Sequence, residues 1–252
     1  MTEEHLWSEW MHDYLPQVPE MMTAHGRRHY RLGMTFVHEK VRQGPPYTRA
    51  FKLVCTRCNT GWMSGIDGDT KPILLELLQG LPVTLLRNDR RRLATWLTLK
   101  FLVSDAIDPN DSVFDQFARS DFKESRKIPR GLQIFVGTHD SPEWHTGYQR
   151  QTMRGNLRES SITKAEHLAE SQNVQSTAFG VGRLFSLTFA SAIPNIKLNP
   201  SVGVIRLTRQ LWPPRDRPII WPLAPIANDD LEILARVLAD LARKPFARWI
   251  RL

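Results

Sequence analysis

The cysteines of this chain constrain its fold most, because there are only two of them and they stand three positions apart, at Cys55 and Cys58. Two cysteines at this spacing cannot form the network of bridges that holds small secreted domains together, so a disulfide framework is excluded. The 252 residues must instead fold around an apolar core, and 41% hydrophobic with 24% charged residues is typical of such a protein. In a reducing compartment both thiols are available for metal binding or redox chemistry.

No stretch of the sequence approaches the roughly 20 consecutive apolar residues that a membrane-spanning helix needs. The most apolar candidate, residues 93–107, is interrupted by Lys100 and Asp105. The first residues, Met-Thr-Glu-Glu-His, are acidic where a secretory signal is basic. The sequence therefore predicts a cytoplasmic protein with no membrane partner.

Basic residues are in excess, with 34 Lys and Arg against 26 Asp and Glu and a formal net charge of +8. This balance favours a polyanionic partner such as nucleic acid. The excess is spread along the chain, and its sharpest cluster is Arg90-Arg91-Arg92. Because this cluster lies at a predicted helix start, its simplest interpretation is a solvated helix face.

The pattern of apolar residues predicts an α+β fold in two segments. Residues 1–69 hold both cysteines and five of the eight histidines, so we expect the chemistry to be concentrated there. The segment over 70–252 is predicted to be a larger α+β body, with helices over 70–125, β-rich chain over 131–210 and a helix over 228–243. Trp96 and Phe101 lie at helical spacing and are predicted to be core residues.

Within the first segment, apolar residues at helical spacing predict a helix over residues 4–14 that ends before Pro16. Residues 29–38 and 47–54 are predicted to be short strands, and the second of these leads directly into Cys55. The segment therefore places its cysteine pair at a strand-to-helix junction.

Two short motifs carry the reactive side chains of this segment. The first is Glu4-His5, followed by an apolar stretch with two tryptophans, and the second is Cys55-Thr56-Arg57-Cys58-Asn59, followed by Thr60-Gly61-Trp62-Met63-Ser64. In these motifs the sequence resembles the HNH nuclease superfamily, in particular bacterial and phage proteins that read E-H-hydrophobic-hydrophobic-P-x-W and later C-x-x-C-N-x-G-W-hydrophobic-S. The resemblance covers about the first 70 residues.

The resemblance implies a treble-clef-like ββα-metal module, in which a hairpin and a helix hold one divalent cation against a scissile phosphate. It implies that His5 is the general base, a role suited to a side chain whose pKa lies near working pH. It also implies that Glu4 and Asn59 are oxygen ligands of Mg²⁺ or Mn²⁺, with Asp67 as weaker support behind them. The expected activity is hydrolysis of phosphodiester bonds in DNA, with RNA as an alternative substrate.

By the same resemblance, Cys55 and Cys58 are half of a structural zinc site, whose other half is normally a second C-x-x-C pair before the acidic-His dipeptide. Only three residues precede Glu4 in this sequence, and that pair is not among them. His25 and His29 have an H-x3-H spacing that can complete a Zn²⁺ site, although two ordinary histidines near Arg27 and Arg28 are the favoured interpretation.

Two other classes of protein remain open on the sequence. A thiol redox protein would use a C-x-x-C pair at a strand-to-helix turn, which residues 53–59 loosely satisfy, but it explains neither Glu4-His5 nor the basic charge. The stronger alternative is a non-catalytic nucleic-acid-binding or interaction protein that retains a degraded HNH fold.

Overall fold

The computed structural model describes residues 2–15, 22–31, 34–43, 50–107, 112–153, 174–193, 196–199, 201, 203–240 and 250–251. These residues form helices and largely antiparallel sheets in separate stretches, which confirms the predicted α+β class. No helix in this part of the chain is long and apolar enough to cross a membrane.

The N-terminal strand β1 (Thr2–His5) pairs antiparallel with β4 (Ala50–Val54). Between them, β2 (Met22–Arg31) and β3 (Met34–Gln43) form a separate antiparallel hairpin. The single strand predicted over 29–38 is therefore wrong, because the chain reverses within it.

The helix predicted over residues 4–14 is also wrong at its start. Residues 2–5 are extended, and only Glu9–Tyr14 is helical, as a short 3₁₀ segment. Leu6, Trp7 and Met11 are all buried in this arrangement. A strand followed by a 3₁₀ turn buries these side chains without a continuous helix, and pairing with β4 supplies the backbone hydrogen bonds of the extended residues.

After Cys55 the chain turns directly into helix. The first turn is α1 (Thr56–Cys58), which continues through a wider π-type turn over Asn59–Met63, kinked at Gly61, into α2 (Ser64–Gln79). The boundary predicted after residue 69 falls inside α2, so one helical run joins the two predicted segments.

The long helix α3 (Arg87–Ala106) packs beside α2 and is followed by α4 (Gln116–Ser125). It begins three residues before its predicted start, where the Asp89 carboxylate accepts a hydrogen bond from the Leu86 backbone N–H at 3.1 Å. Trp96 and Phe101 are 0% and 2% exposed, which confirms both as core residues.

The largest sheet among the described residues has six strands. They are β6 (Leu132–His139), β7 (Tyr148–Met153), β8 (Val174–Val181), β9 (Leu184–Ser191), β11 (Arg209–Trp212) and β13 (Pro225–Ile226). Five of them lie in the order β11-β6-β9-β8-β7, and β13 pairs parallel with β6. Two short pairs accompany it: β5 (Val83–Leu85) with β12 (Ile219–Trp221), and β10 (Lys197–Leu198) with β14 (Ile250–Arg251). Within the chain predicted to be β-rich over 131–210, Gly203–Leu207 is instead a 3₁₀ turn.

Both faces of this sheet are covered. On β6, Ile134 and Val136 pack with the N-terminal residues, α2 and α3, whereas Phe135 packs on the other face with the 3₁₀ turn at 203–207 and with α5 (Asn228–Asp240). Trp7 belongs to the first of these clusters, so the N-terminal residues share the core of the larger body.

Candidate functional site

The Glu4-His5 dipeptide lies on β1 and is held from the body of the protein by Lys100 of α3. The Lys100 Nζ atom is 3.0 Å from Glu4 Oε1 and also donates to the His5 carbonyl oxygen at 3.0 Å. Lys100 is 4% and Glu4 is 8% exposed. Both charges are thus removed from water, and each depends on the other for compensation.

Sequence reasoning missed Lys100 as a partner of Glu4, because the two residues are 96 positions apart. A signal was nevertheless present, since Lys100 shares the helical spacing of the predicted core residues Trp96 and Phe101. A lysine at a core position of a helix is rarely buried unless it is paired.

His5 and Glu4 occupy alternating positions of a strand, and their side chains differ in burial. Successive side chains of a strand point to opposite faces. Glu4 accordingly faces the core and Lys100, while His5 is half-buried, with its ring centroid 6.0 Å from that of His12 and nearly perpendicular to it. The imidazole therefore lies on the more accessible face of β1.

Asn59 lies against the same strand. Its side-chain nitrogen donates to the Glu3 carbonyl oxygen at 2.9 Å and is 3.5 Å from Thr2 Oγ1. Asn59 is placed there because the helical run begins immediately after β4, the partner of β1. The structure thus brings Asn59 beside the Glu4-His5 dipeptide across more than 50 residues of sequence.

These residues, as arranged, do not fit a divalent cation. Carboxylate and amide oxygens are suitable ligands, but the Glu4 carboxylate already has an ammonium group at 3.0 Å, which would repel a second cation. Within the described side chains, no group of three or more His, Cys, Asp or Glu is arranged to hold a metal ion. A cation at Glu4 would have to compete with Lys100.

Asp67, expected behind the metal ligands, has a different set of contacts. Its Oδ1 atom accepts hydrogen bonds from Ser8 Oγ at 2.8 Å and from Trp96 Nε1 at 2.5 Å. These bonds tie the 3₁₀ segment after β1 to α3. Asp67 therefore fixes the position of the N-terminal residues on the body.

The two cysteines lie at the junction between β4 and α1, with Cys55 exposed and Cys58 half-buried. Hydrogen bonds from the backbone and the thiol of Cys58 lower the pKa of Cys55, and the positive charge of Lys123 acts in the same direction. The thiolate is the form that binds metals and attacks disulfides. The pair is therefore suited to either role.

His25 and His29 lie in β2, where their backbones face Lys40 and Phe36 of β3. Their side chains are outside the described part of the structure. Completion of a zinc site by these two histidines therefore stays a prediction.

Comparisons of this chain with models of protein families, with curated proteins and with solved structures find no match. The site is therefore interpreted from its own residues and geometry.

Proposed function

We propose that this chain is an HNH-type phosphodiesterase that acts on DNA, with His5 as the general base. The observation that supports this most is the convergence of Asn59 on β1, where its side chain hydrogen-bonds beside the Glu4-His5 dipeptide at 2.9 Å. The strand β4 leads directly into a helix and pairs with β1, although the resemblance implies a hairpin and here β2 and β3 stand between the two paired strands in sequence.

The chemistry assigned to His5 requires access and orientation. A neutral imidazole accepts the proton of the attacking water while a new bond forms to phosphorus and the 3′ oxygen departs. His5 is half-buried and so can meet a phosphodiester from solvent. Its backbone is fixed from behind by the hydrogen bond from Lys100 to its carbonyl oxygen, which holds in place the strand from which the ring extends.

Metal dependence is part of the proposal through the resemblance, which assigns Mg²⁺ or Mn²⁺ to Glu4 and Asn59. Because Glu4 is paired with Lys100, we assign no step of the reaction to a cation. The activity assay measures whether cleavage depends on added Mg²⁺ or Mn²⁺.

The test is nicking of supercoiled plasmid by the purified full chain, in Mg²⁺, in Mn²⁺ and in chelator. His5→Ala is expected to lower the nicking rate about 10²- to 10⁴-fold, which is the usual contribution of a general base, while DNA binding is retained. His12→Ala is the matched control, because it removes the neighbouring imidazole and leaves His5 in place. Unchanged nicking by pure His5→Ala protein would refute the assignment.

The Glu4–Lys100 ion pair favours a second candidate, a protein that binds nucleic acid without cleaving it. A buried carboxylate neutralised by lysine resembles a structural pair more than an open metal site. This candidate predicts that the parent retards plasmid on a gel but never nicks it in any metal. The same assay therefore separates the two functions.

A further inference from the structure

Exposed arginines lie at the start of α3 and in the loop that follows β11, and these two parts of the chain are in contact through Arg90. Arg87, Arg91 and Arg92 lie in the first two turns of α3, and Arg215 and Arg217 lie in the loop over residues 213–218. All five side chains are exposed. We refer to these five residues as the arginine surface.

Arg90 holds the two parts of the arginine surface together. It is only 3% exposed, so the interpretation of the whole Arg90-Arg91-Arg92 cluster as a solvated face is wrong for this residue. Its guanidinium donates to the carbonyl oxygens of Arg215 at 2.5 Å and Arg217 at 2.7 Å. The loop is therefore fixed to α3 through its backbone, and its arginine side chains are left in solvent.

A cleft of about 710 Å³ adjoins this surface. Arg215 lines it together with Arg130 and Lys197, and both of these side chains are exposed. The described lining contains these three cations and no Asp or Glu, and its other polar groups include Gln133 and Gln210. Because Arg215 belongs to both, the cleft and the arginine surface form one continuous basic region.

Two acidic residues lie within residues 87–92 and 213–218, and the five exposed arginines of the same segments outnumber them. The Asp89 carboxylate accepts a hydrogen bond from the backbone N–H of Leu86 at the start of α3. Asp216 stands between the two loop arginines, and its negative charge acts on the buried Arg90 guanidinium. The exposed cations therefore outnumber the acids, and the region suits a polyanion more than a single small anion.

We propose that the arginine surface and the adjoining cleft bind the phosphate backbone of DNA, an inference that rests on the proposed function. Arg90 and Lys100 are ten residues apart in α3, which corresponds to about 15 Å at the helical rise. The arginine surface is therefore separate from the residues around His5, and its proposed role is to retain DNA.

The test is binding of the full chain to a fluorescein-labelled duplex of about 30 base pairs, followed by anisotropy over a salt series in chelator. The double variants Arg91→Gln/Arg92→Gln and Arg215→Gln/Arg217→Gln each remove two proposed phosphate contacts. Each is expected to bind about 50-fold more weakly at about 0.1 M salt, with the slope of log K against log salt reduced by about 2.

The matched control is Lys127→Gln/Arg206→Gln, which removes two exposed cations that neither line the cleft nor belong to the arginine surface. It is expected to bind within about threefold of the parent, and all three double variants should melt within about 2 °C of it. Equal weakening of all three would show that diffuse charge binds DNA, and unchanged binding by the surface variants would equally overturn the proposal.

Nicking over a series of DNA concentrations separates this inference from the proposed function. Surface variants are expected to need about 50-fold more DNA than the parent for half-maximal nicking, because their binding is weaker. If the parent nicks and the surface variants bind normally, the inference fails and the function stands. If the surface variants lose binding but the parent never nicks, the binding surface stands and the catalytic proposal fails. A parent that does not bind DNA would overturn both.

Discussion

Lys100→Met tests how far the N-terminal strand depends on α3. Methionine keeps most of the volume of lysine but leaves the Glu4 carboxylate buried without its ammonium partner and the His5 carbonyl without its donor. Breaking one side of a buried ion pair typically costs about 3–5 kcal/mol of unfolding free energy. For a chain of this size that corresponds to a fall of roughly 10 °C in melting temperature.

The double variant Lys100→Met/Glu4→Gln separates the interaction energy of the ion pair from the energy of the other contacts that the two residues make. Replacing both charges leaves neutral groups of similar size, so it is expected to cost only about 1–2 kcal/mol. Glu4→Gln alone leaves the ammonium with a neutral acceptor and should cost about 2–3 kcal/mol. The coupling energy of this cycle is therefore expected to reach about 3 kcal/mol or more.

Urea unfolding of the four proteins, with Arg92→Met as an exposed control on the same helix, provides the measurement. The control should stay within about 0.5 kcal/mol of the parent. Single variants that each cost less than about 1 kcal/mol, or a double variant that costs the full sum of the singles, would refute the view that β1 is held by this pair.

Two further predictions concern groups whose pKa is lowered. Burial, with the positive charge of His145 as a smaller cause, lowers the pKa of His139 from 6.5 to about 4. The unfolded chain therefore binds a proton that the folded chain excludes, so the free energy of unfolding should fall by up to about 3 kcal/mol as pH drops from 6.5 to 4 and level off below. Urea melts across this range check it, and a flat profile in the parent would contradict it. Cys55, which is exposed and has a lowered pKa, should react with iodoacetamide near pH 7 before Cys58 does, as followed by peptide mass mapping. Protection of both thiols in protein purified without chelator would indicate the zinc-bound form, and equal reactivity would contradict the assigned difference.

The long periodic segments of the fold could be predicted from the sequence. The helices α2, α3 and α5 are predicted near their observed positions, and β8 and β9 lie within the chain predicted to be β-rich, because each contains enough apolar residues to show its period. Gly203–Leu207 could not be assigned in this way. Val204 and Ile205 are β-branched and suggest a strand, but a 3₁₀ turn buries them against the sheet.

The candidate site was harder to predict, because its contacts are long-range. The two motifs indicate Glu4, His5 and Asn59 as candidate residues. The same sequence places the residues of β1 in a predicted helix, because four residues are too few to show a strand pattern without their partner β4. The spacing of Lys100 in α3 indicates that it is buried, but its contact with Glu4 depends on how α3 packs against β1, which the spacing of residues does not show. Arg90 was misjudged for a similar reason, because its burial comes from a loop more than 120 residues away.

The hydrogen bond network around the N-terminus also bears on the order in which the chain folds during synthesis. Trp7 Nε1 donates to the Gly180 carbonyl oxygen of β8, 173 residues later in the sequence. Glu4 accepts a hydrogen bond from Lys100, which is also far from it in sequence. Contacts of such separation form only after the intervening chain is available and its loop-closure entropy is overcome. His5 is synthesised before Lys100 and Gly180, so it reaches its final position only after both are available. A nascent chain that ends before Gly180 would lack the buried hydrogen bond of Trp7, and the candidate site around His5 would be incomplete until Gly180 had been translated.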